Sequence, residues 1–310
     1  MHGVVIRSTG NTYTVLTDCG CIVACKVKGN FRLKGIRSTN PVAVGDGVTI
    51  TDTTEALAYI TAIDERRNYI IRRASNLSKQ SHILAANIDA LLLLITPSYP
   101  ETSTTFIDRV LASAEAYCIP ALLVFNKVDR YTSEDREWVE AMRLTYEHIG
   151  YTCYTISCHT GEGLDMLGQA LATQHTLLAG HSGVGKSTFL NKLVPNAHAR
   201  TNSISEAHGT GMHTTTFSER FSLPCGGSLI DVPGVKGFGS VNMERKEVAH
   251  YFREIFAFSA DCRFGDCTHT HEPGCAVLQA LEDLRLSPTR YRSYLSMLED
   301  ENDNKYREGY

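Results

Sequence analysis

No apolar run in this chain of 310 residues approaches the ~20 residues a membrane-crossing helix needs, so no membrane partner is expected. The opening MHGVVIRSTG lacks the blocks of a secretion signal, and the protein is expected to be cytoplasmic. There its ten cysteines should not pair as disulfides, because cytosolic thiols stay reduced. Internal repeats and low-complexity tracts are missing as well, and the balance of 43% hydrophobic and 21% charged residues is that of ordinary globular domains. A net charge of −4 excludes a uniformly basic nucleic-acid binder. Locally the shortage is of the other sign. No acidic residue occurs from Cys19 to Gly45, where Lys26, Lys28, Arg32, Lys34 and Arg37 crowd together. A polyanion-binding surface, if present, is therefore local and N-terminal.

What is present falls into three regions. Residues 1–75 carry short alternating runs (VVIRS, TYTVLT, CIVACKV, GVTIT, ALAYITAI, YIIRR) separated by turn signals, which predicts a small closed β-barrel of the oligonucleotide-binding (OB) type. ASNLSKQS (74–81) reads as a linker. Over residues 76–242, continuous apolar strands such as DALLLLIT and ALLVFN alternate with amphipathic helices, the pattern of a mostly parallel α/β sheet covered on both faces. Residues 243–310 turn helical around a cysteine-rich loop.

The middle region carries a nucleotide site. Gly180, His181, Ser182, Gly183, Val184, Gly185, Lys186, Ser187 and Thr188 spell G-x-x-x-x-G-K-[ST], entered by an apolar strand and left by an apolar helix. The glycines let successive N–H groups face a β-phosphate, Lys186 reaches the β/γ oxygens, and the Ser187 hydroxyl can ligate Mg²⁺. About one chain in a hundred of this length would match by accident, and the strand–loop–helix context lowers that further. Upstream, Asn126-Lys127-Val128-Asp129 follows the strand ALLVF. A carboxylate there can accept from the N1–H and 2-amino group of guanine. Adenine has neither donor, so GTP and GDP are the expected ligands, and ATP is opposed. Ser157 and Cys158, in TISCHTGEG, can bring a backbone N–H to the guanine O6. Asp231 of DVPG can hold Mg²⁺ through water, and the Gly234 N–H can meet the γ-phosphate. The HTTT segment offers a threonine to the Mg²⁺ shell. Thr214 and Thr215 both remain open on spacing; Thr215 is the one expected to act.

DCRFGDCTHTHEPGC places Cys262, Cys267 and Cys275 around His269 and His271. Three thiolates and one imidazole suit a closed tetrahedral Zn²⁺ site, structural rather than catalytic because no coordination position is left open. Cys19, Cys21 and Cys25 alternate as on one strand face, and small buried hydrophobes explain them best.

NKVD, SCH, GHSGVGKST, HTTT and DVPG, in that order, follow the rotated motif order of circularly permuted GTPases. With an N-terminal barrel and a C-terminal cysteine/histidine loop, the whole chain resembles the RsgA family of ribosome-small-subunit-dependent GTPases. The resemblance implies domains at 1–75 (RNA-binding barrel), 76–242 (permuted GTPase) and 243–310 (helical, zinc-binding), and it favours His269 over His271 as ligand. It implies a GTPase, expected to be a monomer, that binds the small ribosomal subunit and its rRNA and hydrolyses GTP during late assembly. The alternative is a GTP-gated RNA-binding switch whose hydrolysis is incidental. It also tips CKVKGNFRLKGIR (25–37), five cations around Phe31, from solvated hairpin to RNA contact. Lys186, Thr215 and Gly234 are the expected catalytic groups. Val235 stands where many GTPases carry a water-orienting glutamine, and a valine cannot hold water. His181 and His213 are candidates for that role by position alone.

Overall fold

A computed structural model describes residues 1–27, 41–51, 57–73, 81–194, 197, 218–232 and 243–307. The chain opens with β1 (His2–Ser8), β2 (Tyr13–Thr17), β3 (Ile22–Val27), β4 (Gly47–Ile50) and β5 (Ala58–Ile63). These pair in the order β1-β2-β3-β5-β4, and β4 returns to β1, closing a five-stranded barrel. Alternation fills it: Val5, Val15, Val48, Ile50 and Ile60 point inward with Cys25. The expected barrel is there, but YIIRR is not one of its strands. That run forms β6 (Tyr69–Arg73) and pairs with β7 (Ser81–Ala86) in a separate two-stranded sheet.

The cysteine trio is also rearranged. Cys25 is buried in the barrel, but Cys19 and Cys21 are exposed. The reason is the turn: β3 begins only at Ile22, so both residues belong to the Asp18–Cys21 connection and share no strand face with Cys25.

The α/β sheet is built from β8 (Ala90–Ile95), β9 (Ala121–Asn126), β10 (Thr152–Ile156), β11 (His175–Ala179), β12 (Ser218–Ser222) and β13 (Ser228–Asp231). Its order is β10-β9-β8-β11-β13-β12, parallel except for β12. Every residue of β8 is buried. Leu91, Leu93 and Ile95 face one core with α1 (Thr104–Ala116) and α2 (Ser133–His148). Leu92 and Leu94 face the other, with α3 (Leu164–Leu171) and α4 (Lys186–Leu193). That two-sided burial is why the strand reads as an unbroken apolar run. The barrel is not a separate body. β12 pairs antiparallel with β1, so barrel and α/β sheet form one eleven-stranded sheet.

Helices α5 (Arg253–Ser259), α6 (Ala276–Glu282) and α7 (Pro288–Arg307) form the third unit. Its core, including Phe252, Ile255, Val277 and Tyr294, closes against Ala112 of α1. Polar contacts lock that packing. Arg290 is 1% exposed and donates to Asp108 of α1 at 2.8 Å and to Glu254 at 2.6 and 2.9 Å. Tyr146 of α2 donates to the same Asp108 oxygen at 2.7 Å. Arg253 meets Glu115 of α1 at 2.7 Å and stacks over Tyr151, 4.1 Å from the ring centre. Removing one partner of a buried ion pair strands the other charge. Arg290→Ala should therefore destabilise the protein by about 3–5 kcal/mol, read as a shift of the urea midpoint, while the exposed Arg285→Ala should leave it nearly unchanged.

Candidate nucleotide site and cysteine–histidine cluster

All four described nucleotide motifs end strands of the parallel sheet. NKVD follows β9, SCH follows β10, the glycine loop follows β11, and Asp231 closes β13. The carboxyl edge of such a sheet is where ligands bind. The rotated order changes which connections are covalent and leaves that edge intact.

Asn126, buried at 1% exposure, fastens the motifs together. Its Nδ2 donates to Val184 O at 2.9 Å, and its Oδ1 accepts the Cys158 N–H at 3.2 Å. Gly185, at φ +105°, passes so close that a Cβ would lie 2.6 Å from Asn126 Nδ2. Lys127 adopts φ +69° and donates to Tyr99 O at 2.7 Å and Gly183 O at 2.8 Å. It thus clamps the glycine loop to the 96–103 connection. Val128 is buried beneath the loop.

Asp129 is exposed and accepts the Ser157 hydroxyl proton, a bond that holds its carboxyl below the usual carboxylate range. Ser157 Oγ in turn accepts the His159 and Thr160 N–H groups at 3.2 and 3.0 Å. The buried serine thereby aims the carboxylate and shapes the turn. Burial pushes the Cys158 thiol up to about 11, so it packs as a neutral group. A cleft of about 320 Å³ opens between Asn126, Lys127, Asp129, Cys158, Gly185 and Thr188, within the size range of small-ligand pockets. Arg130, His159 and Lys192 also line it. None of the three was expected to line the site, although His159 closes SCH and Arg130 directly follows NKVD.

The glycine loop turns from β11 into α4. Lys186 Nζ donates to Gly180 O at 2.6 Å and His181 O at 2.7 Å. Burial lowers its pKa, and the Asp231 carboxylate pulls the other way. Ser182, Gly183, Ser187 and Thr188 are exposed around the loop. His181 turns aside. Its Nδ1 lies 3.1 Å from Ser182 O and its Nε2 lies 2.7 Å from Thr102 Oγ1. Thr102 Oγ1 already accepts the Thr96 N–H at 3.0 Å. One arrangement satisfies every group: Thr102 donates to Nε2, and a neutral imidazole donates from Nδ1. Burial, which lowers the His181 pKa, favours that form. Both ring nitrogens are thus engaged, and neither is left for a water molecule.

Burial pushes the Asp231 carboxyl up to about 6; Lys186 opposes the shift, and Glu219 across the strand pair reinforces it. A half-buried carboxylate coupled to the phosphate-loop lysine, whose ammonium is bonded to carbonyls, fits the shell of a hard cation. Thr214, Thr215, His213, Gly234 and Val235 lie outside the described residues, as does the basic stretch 28–40.

In the C-terminal unit, Cys262, Cys267, His269 and Cys275 place their ligand atoms within 4.8 Å of one another and could hold a metal. Cys262 Sγ and Cys275 Sγ are 3.9 Å apart, and lie 3.6 and 3.5 Å from His269 Nδ1. His271 is exposed and meets Thr270 Oγ1 at 2.8 Å instead. Glu272 explains the divergence: it gathers the N–H groups of Thr268, Thr270 and His271 at 2.7, 3.0 and 3.1 Å and folds the loop around itself. Tyr291 and Tyr294 of α7 donate to His269 O and Thr268 O, each at 2.8 Å, tying the cluster to the helix that docks on α1.

Comparison with known proteins agrees with these features. Residues 63–241 match the family model described as RsgA GTPase, and residues 2–60 match RsgA N-terminal domain. The chain is 57% identical over 310 residues to a small ribosomal subunit biogenesis GTPase RsgA of Bacteroides fragilis, covering 100% of both. It is 58% identical over 315 residues to the protein of that name from Porphyromonas gingivalis, again covering 100% of both. Among solved structures it resembles YjeQ from Thermotoga maritima, at a TM-score of 0.76 and 31% identity over 96% of this chain and 97% of that one. It also resembles YloQ, a circularly permuted GTPase, at 0.74 and 28%, over 98% and 95%.

Proposed function

Because this chain belongs to the RsgA GTPase family, we propose that it binds the small ribosomal subunit and hydrolyses GTP during the subunit's late assembly. The observation that carries the reading is the meeting of NKVD, SCH, the glycine loop and Asp231 at the carboxyl edge of one sheet, with Asn126 fastening three of them.

In this reading guanine enters the 320 Å³ cleft. Asp129, kept ionised and aimed by Ser157, accepts from N1–H and the 2-amino group. The phosphates displace the Gly180 and His181 carbonyls from Lys186, whose ammonium then meets the β/γ oxygens. The N–H groups of residues 182–188 and the positive end of α4 face the same anion. Ser187, Thr215 and Asp231 would hold Mg²⁺, which would supply neutralisation of the phosphate charge. Gly234 N–H senses the γ-phosphate. With both His181 nitrogens engaged, orienting the attacking water falls to the switch segments or to the subunit. Fluorescent GDP should be displaced by GTP and GDP but not by a hundredfold excess of ATP; equal displacement by ATP would remove the base assignment.

The barrel within 1–75 contacts rRNA through Lys26, Lys28, Phe31, Arg32, Lys34 and Arg37, the 76–242 unit turns over GTP, and the 243–310 unit carries a structural Zn²⁺. The cluster supports that metal. A tetrahedron with Zn–S and Zn–N bonds of about 2.3 and 2.05 Å has edges of about 3.8 Å (S···S) and 3.6 Å (S···N). The observed separations are 3.9 Å, and 3.6 and 3.5 Å. Zn²⁺ there would contribute folding energy directly. One zinc per chain should co-purify, and Cys267→Ala should lose it and lower the melting temperature; zinc-free wild type would end the assignment. The protein acts as a cytoplasmic monomer in this reading, and among the described residues no helix is long and apolar enough to cross a membrane.

A further inference from the structure

Three charged residues stand in one row across the seam between barrel and α/β sheet. Arg7 of β1 is registered against Glu219 of β12, and Glu219 against Asp231 of β13. Residues directly opposite in antiparallel pairs share a face, with Cβ atoms about 4.5–5.5 Å apart. Arg7 Nε lies 3.8 Å from Glu219 Oε2, and the two side chains are 33% and 12% exposed. That is an ion pair, too long for a hydrogen bond, and the Nε–H is buried without another partner. A register shift in β1 falls between Val5 and Arg7, and beyond it Arg7 and Ser8 pair with β2 on one edge and with β12 on the other. β12 is also the strand that the HTTT segment enters.

We propose that Glu219 is a positioning residue for the divalent cation held at Asp231, and that Arg7, carried by the barrel, tempers it. The inference rests on the reading of Asp231 given under Proposed function and extends it to two residues outside every nucleotide motif. The physics is Coulombic. Glu219 adds a second negative charge beside Asp231 in a half-buried setting, deepening the well for a dication. Arg7 partly cancels that charge. Because Arg7 belongs to the barrel, any displacement of the barrel that draws β1 away from β12 takes the Arg7 charge away from Glu219 and strengthens cation binding. The barrel's placement thereby enters the affinity for Mg²⁺–nucleotide without a moving part in the nucleotide site.

The test is binding rather than turnover. Dissociation of fluorescent GDP is followed while Mg²⁺ is titrated, for the full-length wild type, Glu219→Gln, Arg7→Gln and Arg7→Lys. Affinity for GDP in EDTA and the melting temperature serve as internal controls. Glu219→Gln should raise the half-saturating Mg²⁺ concentration on the order of tenfold. Arg7→Gln should lower it by about threefold, and Arg7→Lys, which keeps the charge, should stay near wild type. Opposite signs are the signature, since mere loosening of the seam would weaken binding in both variants. Shifts of the same sign, or no shift with intact Mg²⁺ dependence in wild type, overturn the proposal. Wild type whose GDP affinity ignores Mg²⁺ would overturn the reading of Asp231, and this proposal with it.

Discussion

Asp129→Asn weakens GTP binding by about 10²–10⁴-fold and makes XTP the preferred nucleotide. The loss follows from two hydrogen bonds to a charged acceptor, each worth about 1.5–3 kcal/mol when a partner is left unsatisfied. The preference follows from geometry. The Ser157 hydroxyl fixes the orientation of the side chain, and two backbone N–H groups fix Ser157 in turn. An asparagine would therefore stand where the aspartate stood and present an amide donor to the 2-oxo group of xanthine. Competition against fluorescent GDP measures both effects. Unchanged GTP affinity in a folded variant would refute the assignment of the base pocket.

Lys186→Ala should remove hydrolysis and weaken nucleotide binding together. The ammonium sits in the glycine loop, held by Gly180 O and His181 O and balanced by Asp231. It is already placed where phosphate oxygens would replace the carbonyls, so little reorganisation accompanies its action. Removing a preorganised charge-stabilising donor lowers kcat by about 10²–10³, and binding falls further with the lost phosphate contact. Single-turnover rates at saturating GTP separate the two losses. A variant with a wild-type single-turnover rate would move Lys186 out of the chemistry.

Much of this was legible in the sequence because the chemistry is local. Each nucleotide motif is a strand and the loop that leaves it, so NKVD, SCH, the glycine loop and DVPG could be read from contiguous residues. The four residues that could hold a metal lie within one loop, from Cys262 to Cys275. What was not legible joins distant residues. Arg290 meets Asp108 across 182 positions, and His181 meets Thr102 across 79. No local pattern announces that β1, while still paired with β2, also pairs with β12. The YIIRR strand was misread because its alternation suits any half-buried pairing and does not name its partner. Cys19 and Cys21 were misread because alternate spacing implies a shared face only within a strand, and a turn holds them here.

The third unit is docked too closely on α1 to be removed without damage. Removing the chain from Met243 onward would strip Ala112 and Asp108 of their cover and strand a buried carboxylate. The intact chain is the better reagent, with Cys267→Ala as the variant that disturbs the metal loop and leaves every nucleotide residue in place. DVPG leads along the chain straight into the third unit, so a partner that holds this unit can act on the switch; on that basis the variant should bind GTP as wild type does and lose most of its stimulated turnover.

Both His181 nitrogens are engaged within the fold, and Val235 cannot hold water, so turnover by the free protein should be slow and the partner should raise it. The direct measurement is the steady-state rate of GTP hydrolysis by the full-length protein, alone and with purified small ribosomal subunits, at saturating GTP and Mg²⁺. The expected result is a rise of about 10²–10⁴-fold, the value of an aligned catalytic group, absent when large subunits are added instead. A rate that small subunits leave unchanged, in protein shown to bind GTP, would contradict the account.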